Sequence, residues 1–543
     1  MNRSFEPPPS FRLPRTIEIL LALVIVLELF APFVAKTYGT DGPPHLYWIE
    51  RFWELFSSGI FTPRWIPQSF HGYGAPTFYF YPPLFFYLTT FVRFLTGISN
   101  AYRLMMITGL VLSVASFFTS WQLLRTIGAG SYQAALGACL YAFAPFRIAE
   151  VYSRTSLSSH LGYVFIPLIA CGLFEIMTSR NKRRGILLFG ISSTLLILSS
   201  IPLTFATTVA IVVVAIIEHK KINAPVARKL IISTVVMLAL SAFYTIPAAE
   251  YHSSVQLNQL VRSPVYLIVN LFKETTLPAV YHFALLYIAA GTLAFAYRSF
   301  RNNPATLTKQ ETTALRIGLS IIGVVAFLDM PIVSEPIWNR ISAIAQGTWR
   351  FYIFFVLFVS VNAGIARSTL MKRSISVIAG IWSIGSLIPM ILILGDVHLF
   401  SHTTDEPGDR PEYLPRAANV LIFTSRPLNI DSSGSEHSTD DFISDRSQPE
   451  KITFHQFYWP AWHLYVDDSE ISTWPDNLGR AVAKLPNGNY RVHWKLERSR
   501  TEKTVIWISE FSIVIVLLIS GMPLLLNCVK RKNRTLSQIL HKK

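Results

Sequence analysis

The sequence predicts an all-α polytopic membrane protein of about twelve transmembrane helices, with a small extracytoplasmic β-domain before the last helix. Its 543 residues are 51% hydrophobic and only 15% charged, and the mean hydropathy is +0.40, far above that of a soluble protein. Several apolar runs approach the ~20 residues that cross a ~30 Å hydrocarbon layer. The first run, Ile17 to Val34, is longer than a signal-peptide core and lacks a small-residue cleavage site, so we expect it to be retained.

Basic clusters between the apolar runs mark one side of the membrane. By the positive-inside rule these clusters are cytoplasmic, and alternating crossings then put both termini inside. The alternation leaves residues 79–97 without a crossing, so we expect this proline-rich, aromatic stretch to form an interfacial helix. The alternative is that it crosses and that one later assignment is wrong. The net charge of +16 is dispersed over these clusters rather than gathered on one face, which disfavours a nucleic-acid partner.

The order of apolar runs and charged loops predicts the boundaries of each part. The transmembrane domain covers 1–395 and contains a large first outer loop at 36–102. A polar outer linker covers 396–450, a small β-domain covers 451–503, and the last helix with its basic tail covers 504–543. The predicted crossings are 17–34, 104–124, 134–146, 161–177, a hairpin over 186–217, 230–247, 283–297, 318–328, 351–365, 374–394 and 505–526.

The outer block before the last helix has the alternation of short β-strands. The predicted strands are 452–457, 462–466, 480–485 and 490–496, with turn residues between them. The tryptophans of this block are expected to pack in its core, with carbohydrate contact as the alternative.

Ionisable residues are dense in the first outer loop. Asp41 follows the first span by a few residues, and Gly42 with the Pro43-Pro44 pair restricts the backbone there. A carboxylate in this position is suited to act as a base or to hold a cation. Glu50 and Glu54 lie four residues apart on one face of an amphipathic helix. A solvated helix face is the favoured interpretation for both, with substrate binding by Glu50 as the alternative.

Further candidates for substrate binding lie in several predicted outer loops. Arg350 precedes an apolar run, where a guanidinium can clamp a phosphate by two hydrogen bonds or extend towards lipid headgroups. The sequence has no Walker loop, dinucleotide fingerprint or His-Glu-x-x-His motif, which disfavours ATP-driven transport and zinc proteolysis. Chemistry on the outer face would then need a lipid-carried activated substrate. The other candidate substrate-binding residues are His45, Arg64, His71, Tyr73, Arg154 and His160.

The chain resembles bacterial membrane proteins catalogued as 6-pyruvoyl-tetrahydropterin synthase-related, and the similar YfhO-like proteins, at motifs spread over nearly its whole length. The metal-binding histidines of the soluble pterin synthase are not visible here, so the name implies no pterin chemistry. The matching motifs are Thr62-Pro-Arg-Trp65, His71-Gly-Tyr-Gly-Ala-Pro76, Phe80-Tyr-Pro-Pro-Leu84, Gln346-Gly-Thr-Trp-Arg-Phe351, Glu412-Tyr-Leu-Pro415, Trp462-His-Leu-Tyr-Val-Asp467 and Leu485-Pro-Asn-Gly488.

These families look like members of the GT-C superfamily of membrane glycosyltransferases, which use polyprenyl-phosphate sugars and keep an acidic residue in the first outer loop. The resemblance implies sugar transfer to a glycan, lipid or protein acceptor at the outer face of a bacterial inner membrane, with Asp41 as catalytic base. It leaves a divalent cation open as a cofactor. Several GT-C enzymes have paired acidic residues, but here Gly42 follows Asp41, which disfavours a paired metal site.

The alternative class is a lipid-linked glycan transporter or a non-catalytic, glycan-binding assembly factor. A transporter would place polar residues deep within several spans, whereas an enzyme would gather them at the outer boundary. Few charges lie in the middle of the predicted spans, and this distribution favours the enzyme.

Overall fold

The computed structural model describes residues 12–34, 41–153, 155–178, 182–257, 278–394, 409–418, 436–437, 442–446 and 448–540. These ranges are mostly helical. In chain order the helices are α1 (Arg15–Val34), α2 (Gly42–Ser57), α3 (Thr77–Phe80), α4 (Leu84–Thr96), α5 (Ala101–Thr126), α6 (Ser131–Ala142), α7 (Pro145–Ile148), α8 (Leu157–Thr178), α9 (Lys182–Ile197), α10 (Ile201–Ile217), α11 (Ala224–Glu250), α12 (Pro278–Asn302), α13 (Lys309–Leu328), α14 (Pro331–Ala345), α15 (Ile353–Ile365), α16 (Thr369–Leu394) and α17 (Arg500–Leu540).

Nine helical segments within the described ranges are long and apolar enough to cross a membrane. They fall on the predicted crossings, with α6, α7 and the π-helical turn Ala149–Ser153 joined in one segment. The predicted hairpin is formed by α9 and α10, and the predicted run 283–297 lies within α12. The predicted fold class, a polytopic helical protein with a small β region before its last apolar helix, is confirmed. The chain is a multi-pass membrane protein.

The stretch predicted to lie along the interface contains the short helix α4. Its thirteen residues rise about 20 Å, which is less than the hydrocarbon thickness of ~30 Å. Phe91, Phe94 and Leu95 leave its outer face apolar and exposed, while Phe85 and Phe86 are buried. This amphipathic pattern suits a helix that lies in the interface with one face in lipid.

Eight strands in the described residues form two four-stranded sheets. The strands are β1 (Glu436–His437), β2 (Phe442–Arg446), β3 (Glu450–Phe457), β4 (Trp462–Val466), β5 (Ser469–Ile471), β6 (Thr473–Pro475), β7 (Arg480–Leu485) and β8 (Gly488–Leu496). Their orders are β1-β3-β7-β6 and β2-β8-β4-β5. Four strands lie at the predicted positions. β1 and β2 lie within the predicted linker 396–450, and the domain boundaries stay a prediction.

The β-sheets pack against the first outer loop. Phe457 donates its backbone N–H to the Tyr73 carbonyl over 2.9 Å. Trp459, which is 1% exposed, has its ring centroid 6.1 Å from that of Trp65. Core packing is therefore the role of Trp459, whereas Trp474 is exposed.

Candidate active site

Asp41 is the N-cap residue of α2 and precedes Gly42, Pro43 and Pro44 in the first turn. Proline fits the first turn of a helix because the N–H groups there have no intrahelical acceptor. The Asp41 side chain makes no capping hydrogen bond, and it is only half-buried. A negative charge at this end also interacts favourably with the helix dipole. The helix therefore fixes the position of Asp41, and the carboxylate does not accept a capping hydrogen bond from the helix backbone.

One turn further on, His45 contacts Tyr81, and their Nε2 and hydroxyl oxygen are 2.6 Å apart. Burial lowers the pKa of His45 to about 4, although the neighbouring Asp41 carboxylate raises it in part. Burial also raises the pKa of Tyr81 to about 12. At neutral pH the imidazole is uncharged and the phenol is protonated, so the two groups share one hydrogen bond whose donor depends on the imidazole tautomer.

Arg350 lies in the 3₁₀ turn Thr348–Phe351 that precedes α15. Its guanidinium donates to Ser156 Oγ over 3.3 Å, to Gln346 Oε1 over 3.1 Å, and to the hydroxyl of Ser159. The side chain is only 9% exposed. These three hydrogen bonds orient the guanidinium.

A cavity of about 350 Å³ lies beside this guanidinium, within the usual ~300–1,000 Å³ of small-molecule sites. The polar side chains in its wall include Tyr81, Ser158, Ser200, His252, Gln346 and Arg350. The Asp41 carboxylate raises the pKa of the Tyr81 phenol, and the guanidinium groups of Arg350 and Arg410 lower it. One carboxylate and two guanidinium groups therefore lie near the same wall of the cavity.

The segment 409–418, from the outer block of the chain, closes part of this site. Tyr413 lines the cavity, and its ring centroid is 5.7 Å from that of Trp48 and 6.3 Å from that of Tyr81. Gln256 holds the segment, because its backbone N–H donates to the Leu414 carbonyl over 3.1 Å. Residues distant in sequence thus complete the wall.

His160, a predicted substrate-binding residue, belongs to a second polar cluster among the membrane helices. Its Nε2 lies 2.8 Å from Arg147 Nη2. Arg147 also forms an ion pair of 2.6 Å with Glu28, and it donates to the hydroxyl of Ser113. All three ionisable side chains are at most 1% exposed. The expectation that charges gather only at the outer boundary is therefore incomplete.

Two predicted substrate-binding residues make ion pairs between structural elements. Glu50 on α2 accepts from Arg93 on α4 over 2.9 Å. Arg64 donates to Glu502 at the start of α17 over 3.3 Å and to the Phe243 carbonyl over 2.7 Å. These contacts connect the first outer loop with the last helix.

The remaining predicted residues lie against the β-sheets or outside the described ranges. His455 Nε2 is 3.0 Å from the His71 carbonyl oxygen, and the Tyr73 ring stacks on His455 with centroids 3.9 Å apart. His71 is exposed, whereas Tyr73 is buried. Arg154 lies outside the described residues.

The predicted residues that act on the cavity wall are Asp41, His45 and Arg350. Tyr81, Tyr413 and the serines that hold Arg350 were not predicted as site residues. Two signals were present, since Tyr81 and Tyr413 occur in the family-like motifs Phe80-Tyr-Pro-Pro-Leu84 and Glu412-Tyr-Leu-Pro415.

The residues near Asp41 are a poor fit for a divalent cation. Nowhere in the described ranges do three or more His, Cys, Asp or Glu side chains meet as a metal site. Among the described residues there, Asp41 and His45 would supply only two side-chain donors. A structural divalent-cation site made by the protein alone needs more ligands than this.

No family model matches the sequence, and no curated protein matches it significantly. Solved structures with partial similarity are those of membrane enzymes. Arabinofuranosyltransferase AftD from Mycobacteria shares 16% identity at a TM-score of 0.42, over 70% of this chain and 28% of that enzyme. The Archaeoglobus fulgidus oligosaccharyltransferase shares 13% at 0.43, over 72% and 57%. ArnT from Cupriavidus metallidurans, solved with undecaprenyl phosphate, shares 13% at 0.31, over 64% and 77%.

The chain therefore spans about a quarter of AftD and little more than half of the archaeal enzyme. Similarity at this level identifies neither a substrate nor a catalytic residue of the present chain. What the described residues define by themselves is a multi-pass membrane protein with a polar, aromatic-walled cavity.

Proposed function

We propose that the protein is a membrane glycosyltransferase that moves a sugar from a polyprenyl-phosphate donor to a glycan, lipid or protein acceptor. One arrangement carries the proposal: His45, one turn after Asp41 on α2, contacts Tyr81 over 2.6 Å, and Tyr81 and Arg350 line the same cavity. Transfer from a phosphate ester needs a base for the incoming hydroxyl and a cation for the departing phosphate. The resemblance at the motifs that contain Tyr81 and Arg350 points to the same chemistry.

In the proposed reaction, Asp41 accepts the proton of the acceptor hydroxyl while that oxygen attacks the anomeric carbon. The bond between this carbon and the phosphate oxygen breaks, and its electron pair leaves with the polyprenyl phosphate. Arg350 stabilises the added negative charge on the phosphate. Its hydrogen bonds to Ser159 and Gln346 keep the guanidinium oriented before the charge develops, which is how a preorganised site lowers a barrier. No step uses a metal.

The proposed location is the inner membrane of a bacterium, with the cavity on the periplasmic or exterior side. Ser158 at the start of α8 lines the cavity, and the basic residues Arg183 and Arg184 follow the other end of this helix. The 22 residues of α8 extend about 33 Å, enough to separate the two faces of a bilayer. The positive-inside rule then puts the cavity outside.

The decisive experiment is turnover by the purified protein in lipid bilayers with a panel of polyprenyl-phosphate sugars, read as release of free polyprenyl phosphate. We expect Asp41→Asn and Arg350→Gln each to lower the release rate about 100-fold or more. The matched control is Glu54→Gln, which removes a carboxylate from the same helix and is expected to keep full activity. Melting temperatures check that each variant is folded.

Equal release by wild type and Asp41→Asn would remove this carboxylate from the reaction. No release by folded wild type over the whole panel would overturn the transferase proposal.

A lipid-linked glycan transporter is the second candidate, favoured by the buried cluster of Glu28, Arg147 and His160. Ionisable groups inside membrane segments often line transport paths. Vesicles containing the protein would then move a fluorescent lipid-linked sugar between leaflets, and Arg147→Gln would stop the movement. An enzyme without transport activity would leave the leaflet distribution equal to that of protein-free vesicles.

A further inference from the structure

A second cavity, of about 570 Å³, lies between α5, α8, α10, α13 and α15. Its wall is almost entirely apolar and includes Leu123, Phe174, Ile317, Phe354 and Phe358. It reaches the end of α8 that is opposite to the candidate active site, and it extends along α15 from Ile365 to Phe354. Thr178, the last residue of α8, lines this cavity, whereas Ser158, near the start of the same helix, lines the other one.

The mouth of this second cavity is cationic. Glu218 is 7% exposed and pairs with Lys221 over 2.5 Å and with Arg316 over 2.8 Å. Burial alone would raise the pKa of Glu218, but the two cations lower it, so the carboxylate is ionised. Lys309 also lines the mouth and is exposed. Three cations around one carboxylate leave a surplus of positive charge beside an apolar interior.

We propose that this cavity binds the acyl chains of an anionic phospholipid, with the lipid phosphate at Lys221 and Lys309. The volume lies within the range of ~300–1,000 Å³ that small-molecule sites occupy. An apolar wall accepts hydrocarbon chains without cost, whereas a peptide would leave backbone N–H and C=O groups unsatisfied there. The cationic mouth selects an anionic headgroup, and basic pockets between membrane helices on the cytoplasmic side are known to favour such lipids.

The lipid site is separate from the proposed sugar transfer. The two cavities share no lining residue, although Phe354 in the second lies one turn from Arg350 in the first. Their far ends on α8, at Ser158 and Thr178, are about 30 Å apart at 1.5 Å per residue. Binding can therefore be tested whether or not the protein proves to be a glycosyltransferase.

The test is lipid retention by the full-length protein. Purified protein is loaded with an equimolar mixture of phosphatidylglycerol and phosphatidylcholine with identical chains, then washed with detergent, and the retained lipids are counted by native mass spectrometry. We expect wild type to retain one lipid and to prefer phosphatidylglycerol by about 10-fold or more, since each surface lysine favours an anionic lipid by roughly five-fold.

Two variants test acyl-chain binding and headgroup recognition separately. Ala314→Trp places an indole in the cavity, so it should abolish retention of both lipids. Lys221→Gln combined with Lys309→Gln should keep one lipid but lose the preference for phosphatidylglycerol. The matched control is Lys372→Gln combined with Arg373→Gln, two cations on the same predicted side but outside this cavity, which should behave as wild type.

Several outcomes would overturn the proposal. They are no retained lipid in wild type, an unchanged preference in the Lys221 and Lys309 variant, or an equal loss of preference in the Lys372 and Arg373 control. Retention by a folded Ala314→Trp protein would show that the lipid is held elsewhere. A melting temperature for each protein excludes unfolding as the cause of a loss.

Discussion

Arg147 Nη1 donates to Glu28 Oε1 over 2.6 Å, and neither side chain is more than 1% exposed. Removing one partner of such a pair leaves the other charge buried and uncompensated, which costs about 3–5 kcal/mol. We therefore expect Glu28→Gln to lower the free energy of unfolding by that amount, measured by denaturant unfolding in detergent micelles. Replacing both residues together, as Glu28→Leu with Arg147→Met, should restore most of the loss.

The control for this prediction is the pair of Arg51 and Glu54, whose 2.8 Å contact is partly exposed to solvent. Exposed ion pairs contribute about 1 kcal/mol or less, so Glu54→Gln should have little effect. If Glu28→Gln lowered the free energy of unfolding no more than Glu54→Gln does, the buried pair would not stabilise the helices.

Stability should also depend on pH through His45. Burial lowers its pKa to about 4 in the folded protein, whereas an unfolded chain titrates near 6.5. Between these pH values the unfolded state binds more protons than the folded state, so lowering the pH favours unfolding. The stability that the neutral His45 contributes is therefore fully present above pH 6.5 and is lost as the pH falls through 4. The full difference amounts to about 3 kcal/mol.

We expect wild type to lose more unfolding free energy than His45→Gln between pH 7 and pH 4. All other titrating groups are common to both proteins, so subtracting the two unfolding curves isolates the imidazole. Parallel curves over this range would mean that His45 is accessible to protons in the folded state.

Local patterns in the sequence predict most of the fold, because apolar length and loop charge determine where a chain crosses a membrane. The hairpin of α9 and α10 was expected from a proline near its centre, Pro202, which lies in the first turn of α10. The strand β2 was not expected. It is specified by pairing with β8, in which Phe442 lies opposite Val492, and a short polar segment gives no local sign of such a partner.

Gly74 is required for packing as well as for backbone geometry. Its φ is +80°, and a Cβ atom there would lie 2.3 Å from Trp65 Nε1. Gly59 has a similar φ of +94°, but a Cβ atom would meet nothing within 4 Å. Gly59→Ala should cost about 1–2 kcal/mol from the left-handed backbone alone, and Gly74→Ala should cost a further 1–3 kcal/mol from overpacking.

Unfolding of these two variants in the same detergent measures the steric contribution as their difference. Equal losses would mean that Trp65 moves aside freely and that only the backbone conformation requires glycine.

Only part of the candidate site could be predicted from the sequence. Asp41 and Arg350 were identifiable because a charged residue beside an apolar run is uncommon. Ser159 carries no such signal, since serine is frequent in membrane helices, and its role depends on the orientation of a distant guanidinium. Tyr413 contacts Trp48 only because the segment 409–418 folds back over α2, which the local pattern does not indicate.

Arg64 was predicted to bind substrate, whereas its contacts indicate a structural role. Kinetic and stability measurements distinguish the two. As a substrate-binding residue, Arg64 would affect the KM of sugar transfer while Glu502 would not. Its hydrogen bond of 3.3 Å to Glu502, which is fully buried, instead makes the two residues one structural unit. We expect Glu502→Gln to lower the unfolding free energy by about 3 kcal/mol or more, since it leaves the buried Arg64 without its carboxylate. Arg64→Gln should cost less, because Arg498 remains 3.9 Å from Glu502.

In that case Arg64→Gln combined with Glu502→Gln should cost no more than Glu502→Gln alone, because the double change removes the buried Arg64 charge as well. The KM for the polyprenyl-phosphate sugar should stay at the wild-type value in the fraction that remains folded. A KM raised about ten-fold in Arg64→Gln and unchanged in Glu502→Gln would return Arg64 to the substrate site. Additive losses of stability would show that the two side chains act independently.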